Sequence, residues 1–431
     1  WQGLQKEAED ALPAVLSVEE LLVRPGWLDV REELLDPDLR RTLAGQRILA
    51  TERADVRGFG RFDGVLGMER PWRGQTLSWL RERLGMDGDR LTLATTALES
   101  WARCPMRFFF ERVLGVDEPE PFSLEPDARL SGTLLHTVLE RYLDARIEAK
   151  AEGRIDRAGL QGATPSQLEQ ERATMAALLL RVADEVLGTK SNPWRDQAVD
   201  LLLAGLRPGD VFVGRLARFL LQEAEGLLEL DPVAVEREIP PIDPAVAAGV
   251  FDPDGGAQPV GPIHVHLTGT VDRIDRGPGR AAVWDYKTGA APSLKNVDGG
   301  LALQPVVYAA AVEGGTDGVL SGYRELPEGD VEPRKRVLAD AETLAELKPR
   351  GIGRSAMAWT DELAGAWLRR ADLHGQLVAG GVFHPTLAGT DAAGCAHCSF
   401  RRACRLDLPR AAAVCSGDSP ASAWPAPLEV S

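Results

Sequence analysis

The amino-acid sequence predicts an α/β fold, in which a mixed central sheet is flanked by helices and carries a helical insertion. The first observation is a set of long segments before residue 230 whose apolar residues have helical spacing. The second is a change to two-residue alternation after residue 262, which is typical of strands. The third is the return of helical spacing after residue 300, so that helical segments precede and follow the strands.

Helices dominate the first half of the chain. Residues 96–114 are predicted to form one helix with a large apolar and aromatic set. Gly132–Lys150 is a second, amphipathic helix. Residues 165–230 are predicted to be helical, with breaks at Ser191-Asn-Pro193 and Arg207-Pro-Gly209. We therefore place the helical insertion at about residues 150–230.

Strands follow the insertion. Ile263–Asp275 and Arg280–Lys287 are predicted to be strands joined by a turn at Gly277-Pro-Gly279. Because side chains alternate along a strand, Asp272 lies on the polar face of the first strand. The later elements are a helix over Leu301–Val312, a strand over Gly318–Leu326 and a helix over about Thr360–Ala379.

Composition limits the classes of function. The 431 residues are 44% hydrophobic and 26% charged, as in globular proteins with a sizeable core. The sequence has no run of about eighteen apolar residues and no secretory leader, and its five cysteines are too few for a disulfide scaffold. We therefore expect a cytoplasmic protein without membrane association. The net charge of −16 argues against non-specific coating of nucleic acid, although a local groove can still be positive.

The chain is expected to be a piece of a longer polypeptide, because it begins with Trp1. We interpret residues 1–90 as an upstream or linking region, residues 91–410 as the main domain, and residues 411–431 as a disordered tail rich in small residues. The sequence contains no complete phosphate-binding loop, since Gly188-Thr-Lys-Ser191 lacks the first glycine. This piece is therefore not expected to contain an ATPase motor.

Carboxylates and a lysine coincide on the two predicted strands. Asp285 and Lys287 share one face of the second strand, and Trp284 and Tyr286 take the other, so the strand is predicted to be buried on both sides. Burying these charges is costly unless they meet a partner or a metal ion. Paired carboxylates can hold Mg²⁺ or Mn²⁺, and a neighbouring lysine can stabilise charge that develops on a phosphoryl group.

The ordered motifs resemble those of RecB-type nucleases in the PD-(D/E)XK superfamily, whose core is restriction-endonuclease-like. Gly269-Thr-Val-Asp272-Arg273 and Asp285-Tyr-Lys287-Thr-Gly289 resemble its second and third motifs. Gln304 and Tyr308 resemble its Q-x-x-x-Y element, and Gly132-Thr-Leu-Leu-His136 resembles its first motif. The resemblance implies that His136, Asp272, Asp285 and the Tyr286 carbonyl bind the metal ion, and that Lys287 is the catalytic lysine.

Four cysteines form a second candidate site. Cys395, Cys398 and Cys404 have C-x2-C-x5-C spacing, which by itself favours a zinc site completed by Cys104, Cys415 or His397. The segment Cys104-Pro-Met-Arg-Phe-Phe, however, resembles the start of the nuclease domain in AddB-type helicase–nuclease subunits. That resemblance implies a [4Fe–4S] cluster bound by Cys104 and the three later cysteines, which would clamp the ends of the domain. Cys415 is then expected to be a bystander.

The resemblance implies a magnesium-dependent DNA exonuclease that processes ends during recombinational repair. Its expected partners are DNA, as a single strand or duplex end, and a helicase subunit or a helicase region of the same longer chain. The rival interpretation is a non-catalytic scaffold that binds DNA ends and is stabilised by an iron–sulfur or zinc site. His136, Asp272, Asp285 and Lys287 argue against the rival, because a binding module gains nothing from this complete set.

Overall fold

The structure is a computed structural model, which describes residues 64–66, 73–116, 128–189, 193–226, 228–252, 261–312, 318–327, 335–350, 355–386 and 393–404. Most of the predicted upstream region 1–90, the whole predicted tail 411–431 and Cys415 lie outside the described residues. Within the described ranges, every helix is too short or too polar to cross a membrane.

The strands are β1 (Arg90–Ala94), β2 (Asp231–Glu238), β3 (His264–Thr268), β4 (Thr270–Gly277), β5 (Arg280–Lys287), β6 (Val319–Glu325), β7 (Lys335–Ala339) and β8 (Ala356–Ala358). The α-helices are α1 (Arg73–Arg83), α2 (Thr95–Arg103), α3 (Pro105–Phe108), α4 (Ala128–Ala151), α5 (Pro165–Leu187), α6 (Pro193–Leu203), α7 (Arg215–Glu225), α8 (Pro244–Phe251), α9 (Leu294–Asp298), α10 (Gln304–Val312), α11 (Ala341–Leu347), α12 (Asp361–Ala379) and α13 (Arg401–Cys404). A π-helical turn, Phe109–Val113, follows α3.

A mixed six-stranded sheet forms the centre and confirms the predicted α/β class. Its strand order is β2-β4-β5-β6-β7-β8. The β4–β5 and β6–β7 pairs are antiparallel, whereas β5 pairs with β6 in parallel. The turn predicted at Gly277-Pro-Gly279 joins β4 to β5 as expected, and residues 281–286 are buried, which confirms a strand covered on both faces.

Helices cover both faces of this sheet. One apolar core joins the strands to α2, α10 and α12. A second core contains residues of α4, α5, α6 and α7 together with Tyr286 of β5. The rings of Phe219 and Tyr286 meet edge to face with centroids 5.9 Å apart. The segment predicted to be helical over 165–230 forms α5, α6 and α7, and it packs against the back of β5.

The single strand predicted over 263–275 is wrong, because it is broken at Gly269. The first half, β3, pairs with β1 in a separate two-stranded sheet, and only β4 joins the central sheet. A Cβ atom at Gly269 would lie 2.7 Å from the Tyr308 hydroxyl oxygen. Glycine is therefore required here, because the backbone passes directly against the Tyr308 ring.

The single helix predicted over 96–114 is also wrong. Cys104 interrupts it with an extended conformation, φ −157° and ψ 98°, and Pro105 begins the next helix. A residue before proline is pushed out of the helical region, and proline suits a first helical position. The break places Cys104 in the buried link between α2 and α3.

Candidate active site and cysteine site

The β4–β5 hairpin brings the two predicted carboxylates together. The register pairs Arg273 with Trp284, so one step further along the hairpin Asp272 lies beside Asp285. The backbone N–H of Tyr286 donates a hydrogen bond of 2.6 Å to Asp272 Oδ2. Strand alternation then puts Asp272 and Asp285 on one face and Arg273 and Trp284 on the other.

His136 reaches the same point from α4. Its Nδ1 atom lies 3.8 Å from Asp272 Oδ2 and 3.9 Å from Glu236 Oε1. The ligand atoms of His136, Glu236 and Asp272 all lie within 4.8 Å of one another. In the described part of the chain, this is the one group of three such side chains that close together.

Glu236 is the member of this group that no sequence motif marks. It lies on β2, where Val235 pairs with Arg273 and Arg237 pairs with Val271, so Glu236 is opposite Asp272. Its φ of +42° is the one positive value at a non-glycine residue in the described ranges. Such a conformation is uncommon for a residue with a side chain, and strained backbone of this kind clusters at functional sites. The available sequence signal was a short Val-x-Val-Glu alternation, which predicts a strand but not its neighbour.

Electrostatics of the group favour a bound cation. Burial, and then the charge of Asp285, raise the pKa of Asp272 to about 7, against the opposing effect of His136. Burial also raises the pKa of Asp285 despite Lys287. Burial lowers the pKa of His136, but Glu236 and Asp272 outweigh it and raise that pKa overall. A divalent cation would relieve the repulsion between these carboxylates, and their oxygen atoms suit Mg²⁺ or Mn²⁺.

Lys287 is held beside Asp285 by two partners. Its Nζ atom lies 2.6 Å from Asp285 Oδ2 and donates to Gln304 Oε1 at 3.1 Å. Gln304 Nε2 in turn donates to Asp285 Oδ1 at 2.7 Å and to the Tyr308 hydroxyl at 3.2 Å. The predicted Gln304–Tyr308 pair therefore contacts the predicted Asp285–Lys287 pair, and Gln304 fixes the position of the ammonium group.

The opposite face of the same strands carries a buried ion cluster. Glu223 of α7 lies 2.8 Å from Arg273 Nη1 and 2.6 Å from Arg324 Nη1. Arg273 Nε also pairs with Asp275 Oδ1 at 2.5 Å, and Arg273 Nη1 donates to the Tyr286 hydroxyl at 3.2 Å. Two arginines thus balance two carboxylates around a cavity of about 40 Å³. The insertion supplies one of those carboxylates.

The four predicted cysteines lie together. Cys104, Cys395 and Cys404 belong to one small apolar cluster with Met106 and Ala393. Burial raises the pKa of the Cys104 thiol to about 12, and the charges of Cys404, Cys395 and Cys398 act in the same direction. The rings of Phe110 and Phe400 stack beside them with centroids 4.8 Å apart. The fold therefore brings Cys104, which precedes the central sheet in the sequence, close to Cys395, Cys398 and Cys404.

Comparisons with known proteins agree with these motifs. A family model described as the PD-(D/E)XK nuclease superfamily matches residues 92–405. A protein of Symbiobacterium thermophilum, named as a subunit of an ATP-dependent helicase/deoxyribonuclease, is 28% identical over 71% of this chain and 24% of that protein. A protein with the same name from Acetivibrio thermocellus is 22% identical, over 76% of this chain and 31% of that protein. The chain thus spans less than a third of the length of these relatives.

Proposed function

The chain belongs to the PD-(D/E)XK nuclease superfamily, and on that premise we propose that it hydrolyses phosphodiester bonds in DNA with the help of Mg²⁺ or Mn²⁺. The observation that carries the proposal is the convergence of His136, Glu236 and Asp272 beside Asp285. These four side chains would hold the cation, together with the Tyr286 carbonyl. The AddB-like motifs and the names of the relatives support a deoxyribonuclease.

The residues of the site have different proposed roles in hydrolysis. A bound divalent cation polarises a phosphoryl oxygen and lowers the pKa of a bound water molecule. Lys287 orients the attacking water and stabilises the negative charge that develops on the phosphoryl group. Gln304 keeps the Lys287 ammonium beside Asp285 through its two hydrogen bonds. The Tyr286 N–H holds Asp272 in place, so that its carboxylate is oriented before the cation arrives.

We further propose that residues 91–410 form the nuclease domain, with the helical insertion at about 150–230, and that it cuts exonucleolytically at DNA ends. The relatives are named helicase/deoxyribonuclease subunits. A helicase, either as a separate subunit or as another region of the same longer chain, is therefore the proposed partner. Unwinding would deliver a single strand to the cation site, in the context of recombinational repair.

We propose that Cys104, Cys395, Cys398 and Cys404 bind a [4Fe–4S] cluster. In support, Cys104, Cys395 and Cys404 belong to one small cluster, and Cys398 is close enough to help raise the pKa of the Cys104 thiol. A [4Fe–4S] cluster is held by four cysteine thiolates, and the AddB-like segment that begins at Cys104 favours it over one zinc ion.

A nuclease assay on end-labelled single strands, with and without Mg²⁺, tests the catalytic proposal. We expect cleavage by the wild-type protein with Mg²⁺, and none by Asp272→Asn or Asp285→Asn. Lys287→Ala should keep cation and DNA binding but lose turnover, because its ammonium acts mainly in the transition state. Tight binding of DNA ends without cleavage under any divalent cation would favour the non-catalytic scaffold instead.

A further inference from the structure

A buried carboxylate that is not part of the His136, Glu236 and Asp272 group contacts the start of α10. Glu99 lies on α2 and is 3% exposed. Its Oε1 atom accepts hydrogen bonds from the backbone N–H groups of Leu303, at 2.5 Å, and Gln304, at 2.8 Å. These N–H groups belong to the start of α10, where a helix has unpaired donors and a partial positive charge. Glu99 therefore caps α10 from a distant part of the sequence.

Gln304, whose backbone N–H is bound by Glu99, also positions the side chain of Lys287. Gln304 is the first residue of α10, and its side chain contacts both Asp285 and Lys287. A shift at the start of α10 would move the Gln304 amide and both of its hydrogen bonds. Catalytic geometry is sensitive to such shifts, since a displacement of about 1 Å can cost about a hundredfold in rate.

The other end of α2 leads into the cysteine site. Cys104 directly follows this helix, and the Thr386 hydroxyl donates to the Arg103 carbonyl at 2.6 Å. The backbone N–H of Met106 donates to the His384 carbonyl at 3.1 Å, and Trp101 Nε1 donates to the Val382 carbonyl at 2.9 Å. The α2–α3 segment is thus tied to the chain that leads to the other three cysteines.

We propose that Glu99 is a positioning residue that couples the cysteine site to Lys287 by fixing the start of α10. The inference rests on the proposed nuclease function, but its structural half does not require activity. A change that loosens the α2–α3 segment would move Glu99, then Gln304, and finally the ammonium group. Damage to the cysteine site would in this way reduce turnover without touching a metal ligand.

The test compares Glu99→Ala and Glu99→Gln with wild-type protein purified without oxygen. Glu99→Ala should lower kcat about a hundredfold, with KM for end-labelled DNA and Mn²⁺ affinity nearly unchanged. Glu99→Gln keeps an oxygen acceptor for the two N–H groups and should restore most of the rate. The control is Asp340→Ala, because the Asp340 carboxylate also accepts a backbone hydrogen bond at the start of a helix, from the Thr343 N–H of α11 at 2.9 Å. It should keep wild-type kcat.

Hydrogen exchange gives a readout that does not depend on cleavage. Glu99→Ala should speed exchange in peptides covering 301–312, whereas Asp340→Ala should speed it only near α11. Thr386→Val, a mild change that removes the bond to Arg103, should also speed exchange in 301–312. Its effect should be absent in the Glu99→Ala background, since coupled sites are non-additive.

The two ideas fail in different ways. A wild-type protein that cleaves DNA, with unchanged kcat in Glu99→Ala, would overturn the positioning role and leave the nuclease proposal standing. A wild-type protein that never cleaves would reject the nuclease proposal, and exchange in 301–312 would then decide the structural coupling alone. Unchanged exchange in both Glu99→Ala and Thr386→Val would overturn that coupling.

Discussion

Replacement of Glu223 by glutamine tests whether the helical insertion stabilises the face of β4 and β6 that lies opposite the proposed cation site. Glu223 is buried and bridges Arg273 of β4 and Arg324 of β6, at 2.8 and 2.6 Å. Arg273 directly follows the proposed metal ligand Asp272 in the sequence. The substitution leaves both guanidinium groups buried while removing the negative charge that they share. We therefore expect Glu223→Gln to lower the free energy of unfolding substantially, although the two side chains have nearly the same size.

The pKa of Glu223 sets the magnitude. Burial raises this pKa, but the charges of Arg273 and Arg324 outweigh burial and lower it from 4.5 to about 2. Because one pKa unit corresponds to about 1.4 kcal/mol, the fall is worth about 3 kcal/mol of folding free energy. Breaking a buried ion pair typically costs about 3–5 kcal/mol, which agrees. A lowered carboxyl pKa stabilises the fold above pH 4.5, and this contribution is lost as the pH falls towards 2.

Urea unfolding of wild-type and Glu223→Gln protein at pH 7 and pH 3 measures both effects. The variant should lose about 3 kcal/mol at pH 7, and the difference should shrink to about half of that at pH 3. Glu185→Gln is the matched control, because the exposed Glu185 of the insertion pairs with the exposed Arg141 of α4. It should lose less than about 1 kcal/mol. A loss below about 1 kcal/mol in Glu223→Gln at pH 7, or one independent of pH, would refute the reasoning.

Three further predictions concern the two proposed metal sites. Glu236→Gln should weaken Mn²⁺ binding by about tenfold or more without unfolding the protein, because it removes one anionic oxygen ligand. Calorimetry measures this affinity, and an unchanged value would show that Glu236 does not bind the cation. Mn²⁺ affinity should fall as the pH drops below about 7, because Asp272, with its pKa near 7, must lose a proton to bind the cation; a flat profile between pH 5 and 7 would contradict this. Cys104→Ala should lose bound iron and lower the unfolding temperature, because binding energy at a structural site is folding energy. Cys415→Ala should do neither, and a colourless wild-type protein with one zinc ion per chain would reject the cluster.

The β4–β5 hairpin was predictable because its signals are local. Strand alternation gave the two faces of 280–287, and Gly277-Pro-Gly279 gave the turn. The break at Gly269 was not predictable in the same way, since it depends on the Tyr308 ring, which approaches from another element. The break at Cys104 did have a local signal in Pro105, but the continuous run of aromatic residues around it favoured an unbroken helix.

The residues of the candidate site show the same contrast between local sequence signals and contacts made by distant elements. His136, Asp272, Asp285 and Lys287 follow from ordered motifs, and the fold brings them to one point. Glu236 does not follow, because its place depends on the register of β2 against β4 and on a backbone with φ of +42°. Sheet register and backbone strain are set by neighbouring strands, so a motif along one segment carries no information about them.

The alternation along β5 links the chemistry to the rest of the fold. Asp285 and Lys287 face the proposed cation site and α10, while Trp284 and Tyr286 face the insertion. The two faces of β5 depend on one register, because a shift of one residue in the pairing of β5 would turn each side chain to the opposite face. Trp284 Nε1 donates to Asp275 Oδ2 at 3.0 Å, and Arg273 contacts the Tyr286 hydroxyl, so the buried ion cluster specifies this register. The insertion therefore contacts the side of β5 opposite the proposed cation site, and its contacts help to fix which side chains of β5 face that site.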